Sequence, residues 1–151
     1  MICSGMDRRD RIPIRIEPGL FECPHQNSKL VDSFMTKKEL IDNRYNIKQE
    51  YKPIISKVTV PETLEEYFER SAMMMRAIID RYGRYGGTVL IVSHAPGLLA
   101  LTDAMKGLRP NSETFYRNVS VFPPLTMYTA DYDGTKWRYS DQHFNLVLPA
   151  A

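Results

Sequence analysis

The chain has 151 residues, of which 43% are hydrophobic and 25% are charged, and this size and composition predict one globular domain over residues 1–151. Its formal net charge is +2 and its lysines and arginines are scattered, so the charge gives no reason to expect a nucleic-acid partner. Two cysteines without a C-x-x-C pair exclude a disulfide framework. The sequence has no signal-peptide core and no long apolar run, which favours a cytoplasmic protein without a membrane partner.

The first predicted element is a strand whose isoleucines alternate with other residues and share one face: Ile12, Ile14 and Ile16. Residues 24–58 are polar and irregular, and a long segment of this kind is often a functional rim or lid. Within it, Met35–Tyr45 predicts a short helix, with Thr36 at the N-cap and Glu39 three residues later.

The clearest helix runs from Pro61 to Gly83, which is a typical helix stop. Thr63 and Glu66 have the spacing of a capping box. Side chains at helical spacing predict one buried face: Leu64, Tyr67, Phe68, Ser71, Met75, Ile78, Ile79 and Tyr82. The run Met73–Met75 is interpreted as core filling.

A continuous apolar run, Val89–Val92, predicts a strand buried on both faces, as in the sheet of an α/β protein. A helix follows, with Pro96 in its first turn and Gly107 at its end. Two alternating runs around Asp133–Gly134 then predict a β-hairpin. An initial strand followed by helix, strand, helix and hairpin indicates a three-layer α/β domain.

The candidate functional residue of this pattern is His94, which lies between the predicted strand Val89–Val92 and the next helix. Ligands of open α/β sheets bind beyond the carboxyl ends of the strands. The helix start near Pro96–Gly97 presents free N–H groups and a positive dipole end to an anion, and a histidine there can hold a phosphoryl oxygen. In the alternative interpretation His94 only closes the strand, and the motif alone favours neither.

Glu22, after the first strand, is the second candidate, because a carboxyl group beside a bound phosphate can protonate a leaving oxygen. Glu17 competes with it but precedes Pro18, and we interpret it as structural. His25 and His143 have no partner at metal-ligand spacing, so no metal is expected. The nucleophile elbow, the Walker A loop and the dinucleotide-binding glycine motif do not occur in the sequence.

Two stretches, IRIEPGLFE (Ile14–Glu22) and VLIVSHAPGLLA (Val89–Ala100), together resemble the histidine phosphatase superfamily in its phosphoglycerate-mutase-like branch. The closer likeness is to the phosphatase domains of proteins that suppress T-cell-receptor signalling and of insect ecdysteroid-phosphate phosphatase. It extends from Ile12 to at least Gly107. The resemblance implies a three-layer α/β/α fold and phosphoryl transfer through a phosphohistidine, without a cofactor.

By the same resemblance, His94 matches the histidine that holds the phosphate, and Glu22 matches the acid–base carboxylate. Ser93 and Ala95, which flank the histidine, are the further expected phosphate-binding residues. The implied partner is a small phosphate ester or a phosphoprotein, and a homodimer is compatible with the family.

The family's nucleophilic histidine belongs to an Arg-His-Gly motif, and this motif does not occur in the sequence. We therefore expect the chain to represent the C-terminal part of the domain, with the sheet truncated on its N-terminal side, and to be inactive by itself. The alternatives are a non-catalytic phosphate-binding or dimerisation module of the same fold, and an unrelated α/β domain in which His94 is structural. The sequence leaves the substrate open.

Overall fold

The computed structural model describes residues 12–23, 34–123 and 125–142. Its helices and strands along these ranges are α1 Lys37–Asp42, α2 Leu64–Tyr82, α3 Ala95–Met105, α4 Phe115–Val119, β1 Met127–Tyr132 and β2 Trp137–Gln142. Short 3-10 turns occupy Pro18–Leu20 and Gly83–Tyr85. Within the described ranges, no helix has both the length and the apolar character that crossing a membrane requires.

Both predicted capping boxes are present and define where α1 and α2 begin. At the start of α2, the Thr63 backbone N–H donates to Glu66 Oε2 over 2.7 Å, and the Glu66 N–H donates to Thr63 Oγ1 over 3.2 Å. Thr36 and Glu39 form the same pair at α1. The hydrogen bonds from the cap backbone lower the pKa of Glu66. The predicted helix within Met35–Tyr45 is therefore confirmed, although only its central residues are helical.

Helix α2 supplies most of the core. Its predicted buried face is confirmed along the middle of the helix, whereas Leu64, Ile79 and Tyr82 are only partly buried. Tyr67 and Phe68 pack with Ala100 of α3 and with Phe115 of α4, which is fully buried. The rings of Phe68 and Phe115 meet edge to face with centroids 4.9 Å apart. The sequence does not predict α4, because five residues are too few to show a helical period. Met73–Met75 is core filling only in part, since Met73 is 37% exposed.

The predicted first strand is wrong as a strand. A single parallel bridge joins Ile14 to Ile47, with the Ile14 N–H donating to the Asn46 carbonyl over 2.8 Å. Ile12 and Ile16 are 58% and 43% exposed, so the expected buried face is absent. One bridge cannot make a ladder, because a strand needs a neighbour along its whole length.

The predicted central strand Val89–Val92 is also wrong as a strand in the described residues. Val89, Leu90 and Val92 are 51%, 66% and 61% exposed. Among the described residues, the hairpin of β1 and β2 is the only sheet, so nothing pairs with this segment. The alternation and apolar character favour a strand, but pairing depends on partners far away in the sequence.

The predicted hairpin is confirmed, with β1 and β2 antiparallel and Tyr132 opposite Trp137 next to the turn. The Asp133 carboxylate accepts hydrogen bonds from the Thr135 hydroxyl and from the backbone N–H groups of Thr135 and Lys136. These bonds lower the pKa of Asp133 to about 2. The Tyr139 hydroxyl donates to the carbonyl of Met105 over 2.9 Å, which holds the hairpin to the end of α3.

Candidate functional site

His94 is the residue that immediately precedes α3. Its carbonyl accepts the first bond of the helix, from the Leu98 N–H over 2.9 Å, while its exposed side chain makes no capping bond. The N–H groups of Ala95 and Gly97 lie in the first turn and have no carbonyl to bond within the helix. This turn therefore places an imidazole beside the positive end of an eleven-residue helix.

Ser93 connects the His94 turn to the Glu22 segment. Its hydroxyl donates to the Leu20 carbonyl over 3.0 Å. Gly97 packs against this hydroxyl so closely that a Cβ at Gly97 would lie 2.2 Å from Ser93 Oγ. Since the hydroxyl proton is bonded to Leu20, the group that Ser93 still offers to an anion is its backbone N–H.

The Glu22 segment is held from the other side by Arg70 of α2. One terminal guanidinium nitrogen, Nη1, donates to the carbonyls of Gly19 and Phe21 over 2.7 and 2.9 Å. Nε and Nη2 bind the two oxygens of Glu62, each over 2.6 Å. The side chains of Arg70 and Glu62 are each 8% exposed, so the pair is buried.

Glu22 itself is half-buried, and the residue before it, Phe21, reaches the His94 turn. The ring of Phe21 stands perpendicular to the His94 ring, with centroids 6.4 Å apart. Burial raises the pKa of Tyr116, and Cys23 and Glu22 raise it further. The Ser93–Leu20 bond and these two rings thus bring together the segments that carry Glu22 and His94.

Tyr67 lies beneath these two segments with a hydroxyl that has no hydrogen-bond partner in the described part of the chain. The Tyr67 hydroxyl oxygen would be 3.6 Å from a Cβ at Gly97. Burial raises the pKa of Tyr67, an effect that the nearby Arg70 charge and the Ser71 side chain partly oppose. Ser71 is therefore close, but it makes no hydrogen bond of ordinary geometry with this hydroxyl.

Glu17 is structural, as predicted. Its carboxylate accepts hydrogen bonds from the Tyr51 hydroxyl over 2.8 Å and from the backbone N–H groups of Ile54 and Ile55 over 2.8 and 3.1 Å. These bonds attach the first segment to the loop before α2. His25 and His143 lie outside the described residues, within which no cluster of three or more metal-ligating side chains occurs.

Arg70 and Glu62 are not singled out by the sequence patterns, although a signal for Arg70 is present. Arg70 occupies the same helical face as Tyr67 and Met74, three and four residues away, and a charge in an apolar stripe needs a buried partner. Glu62 could not be found in this way, because it precedes the helix.

Sequence comparison finds relatives of two kinds, while no protein-family model matches the chain. The human ubiquitin-associated and SH3 domain-containing protein B is 31% identical over 146 residues, which cover 93% of this chain and 22% of the relative. The ecdysteroid-phosphate phosphatase of Bombyx mori is 31% identical over 110 residues, covering 73% of this chain and 17% of the relative. The chain thus spans less than a quarter of the length of these curated relatives.

Structural comparison agrees. The crystal structure of the ecdysone phosphate phosphatase of Bombyx mori, in complex with tungstate, superposes with a TM-score of 0.56 at 32% identity. The match covers 67% of this chain and 39% of the other. It shows the truncated phosphoglycerate-mutase-like α/β fold that the sequence predicts, even though two of the predicted strands form no ladder in the described residues. By sequence and by fold, the chain belongs to the histidine phosphatase superfamily, and its partial match to these relatives fits the C-terminal part of their phosphatase domain.

Proposed function

We propose that the chain carries the phosphate-holding and acid–base part of a phosphomonoesterase site. His94 and the N–H groups of Ser93 and Ala95 hold the phosphoryl oxygens, and Glu22 is the acid–base residue. The observation that carries this proposal is the Ser93–Leu20 hydrogen bond, because it fixes the two motif segments against each other. Residues 1–151 act as part of one domain, in the cytoplasm, on a small phosphate ester or a phosphoprotein.

Each group is suited to its role. The N–H groups at the start of α3 and the positive end of that helix favour an oxyanion, and the exposed His94 imidazole can add a charge-assisted hydrogen bond. The half-buried Glu22 belongs to the segment that Ser93 binds, and its carboxyl group can give a proton to the leaving oxygen as the ester P–O bond breaks.

The covalent step requires a group that the sequence lacks. In the family's mechanism a histidine attacks phosphorus and forms a P–N bond, which water then hydrolyses while the carboxylate accepts a proton. Because no Arg-His-Gly occurs in the sequence, we expect no turnover by this chain alone.

Hydrolysis of p-nitrophenyl phosphate tests the proposal. We expect no turnover from the chain alone, and turnover once a segment with Arg-His-Gly from the Bombyx mori relative is joined to it. His94→Ala and Glu22→Gln should each abolish that gained activity, and Arg81→Lys, on α2 away from the site, should leave it intact. Gained activity that survives His94→Ala would contradict the proposal.

The second candidate is a non-catalytic phosphate-binding or dimerisation module. The exposed apolar segment Val89–Val92 favours it, since a strand from a second chain could pair with this segment beside His94. Light scattering with Leu90→Lys tests it, because a dimer built on this segment should dissociate. A wild-type chain that stays monomeric at high concentration would contradict dimerisation.

A further inference from the structure

We propose that Arg70 is a positioning residue that fixes the Glu22 segment against the His94 turn, an inference that rests on the function proposed above. Arg70 touches neither of the two candidate residues. It acts through the backbone that leads to Glu22, together with its buried partner Glu62.

Three successive backbone carbonyls just before Glu22 are all hydrogen-bonded. Arg70 holds the first and the third, those of Gly19 and Phe21, over 2.7 and 2.9 Å. The middle carbonyl, that of Leu20, accepts from Ser93 over 3.0 Å. The backbone leading to Glu22 is thereby fixed to α2 on one side and to the His94 turn on the other.

The role of residue 70 requires an arginine and not merely a positive charge. A planar guanidinium presents its donors in a fixed fork, and here Nε, Nη1 and Nη2 all donate at the same time. A lysine keeps the charge but cannot bind both oxygens of Glu62 and two carbonyls in fixed directions.

Arg70 and Glu62 form a buried ion pair. Arg70 and Glu62 are each 8% exposed, and a buried ion pair is weak evidence for stability, because desolvation of the charges offsets their attraction. Conformational specificity is the better explanation where the pair also fixes backbone next to a site. Gly19 supports this, since it packs so tightly on Met74 that a Cβ would lie 2.4 Å from the sulfur.

Helix α2 supports both segments with neighbouring residues. Arg70 holds the Glu22 segment, and its guanidinium carbon lies 5.1 Å from the ring centroid of Tyr67. Tyr67 in turn packs beneath Gly97 in the first turn of α3. One rigid helix thus sets the separation of the two candidate residues.

NMR of the full chain with tungstate as the probe tests the inference. In the wild type, we expect tungstate to shift the His94 ring resonances and the Glu22 side-chain carboxyl carbon. In Arg70→Lys the His94 shifts should persist, whereas the Glu22 shift should fall by about half or more. The Glu22 carboxyl group would then lie farther from the bound tungstate, with water between them, and both changes weaken the effect of the tungstate charge on it. Arg81→Lys, on the same helix and bound to the Lys52 carbonyl, should behave like the wild type.

Glu62→Gln is the second variant if Arg70→Lys fails to fold. It keeps one oxygen for the guanidinium and should reduce the Glu22 shift in the same direction but less. An unchanged Glu22 shift in a folded variant would overturn the positioning role and leave the proposed function intact. No His94 shift in the wild type would instead overturn the proposed function.

Discussion

Removal of one hydroxyl from each of two tyrosines should have opposite effects on stability. Tyr67 buries a hydroxyl that lacks a partner among the described residues. The Tyr51 hydroxyl donates to a Glu17 oxygen over 2.8 Å and accepts from Arg81 over 3.2 Å. Tyr67→Phe and Tyr51→Phe are therefore the same chemical change in two different environments, and each is the control for the other.

The magnitudes follow from these contacts. Burial of an unpaired hydroxyl costs about 1–3 kcal/mol in proteins, and this cost disappears when the hydroxyl is removed. The cavity left by the missing oxygen destabilises the variant by only a few tenths of a kcal/mol, at ~24 cal/mol per Å³. Tyr67→Phe should therefore raise the free energy of unfolding by about 1 kcal/mol. Tyr51→Phe should lower it by about 1 kcal/mol, which is less than the ~1.5–3 kcal/mol of a bond to a charged group because Tyr51 is half-exposed.

Urea unfolding at pH 7 measures both changes. The slopes should match the wild type, so that the midpoints alone report the free energies. A loss of more than about 1 kcal/mol in Tyr67→Phe would refute the reasoning, because it would show that the hydroxyl makes a stabilising bond.

Three further changes test other parts of the structure. Gly97→Ala should cost about 1–3 kcal/mol in urea unfolding and break the Ser93–Leu20 bond, because the new Cβ would lie 2.2 Å from Ser93 Oγ; an unchanged midpoint would contradict this close contact. Phe115→Ala should cost about 3–5 kcal/mol, since the ring is fully buried, and a loss below about 1 kcal/mol would place Phe115 outside the core. Asp133 should titrate by NMR near pH 2, below the pKa of about 3.9 that an aspartate has in the unfolded chain. The stabilisation by Asp133 is therefore present above about pH 4 and is lost as the pH falls through about 2, and a titration midpoint near 4 would contradict the turn hydrogen bonds.

Local patterns predict α1, α2, α3 and the hairpin, because their signals lie within a few residues of each other. The capping box of Thr63 and Glu66 is read directly from the sequence, as is the Asp133–Gly134 turn. The two motif segments are likewise recognised by their residues, and the Ser93–Leu20 bond places them side by side.

Strands and buried polar contacts are not predictable in this way. Val89–Val92 has the composition of a buried strand, yet the structure exposes it, since pairing depends on chain far away in the sequence. Arg70 bonds to carbonyls 49 and 51 residues away, a separation that no periodicity reveals. The parts of the site that sequence patterns miss are therefore those made by distant contacts.

The most direct test of the central claim is tungstate binding to the wild-type chain and to His94→Ala. Calorimetry measures the affinity, and the amide resonances of Ala95 and Gly97 report where tungstate binds. The claim is that the start of α3 and His94 form an oxyanion site. We expect saturable binding that shifts these amides, and an affinity about tenfold lower in His94→Ala, as loss of one charge-assisted hydrogen bond implies. Equal affinity in the two proteins, or shifts confined to residues outside this turn, would contradict the claim.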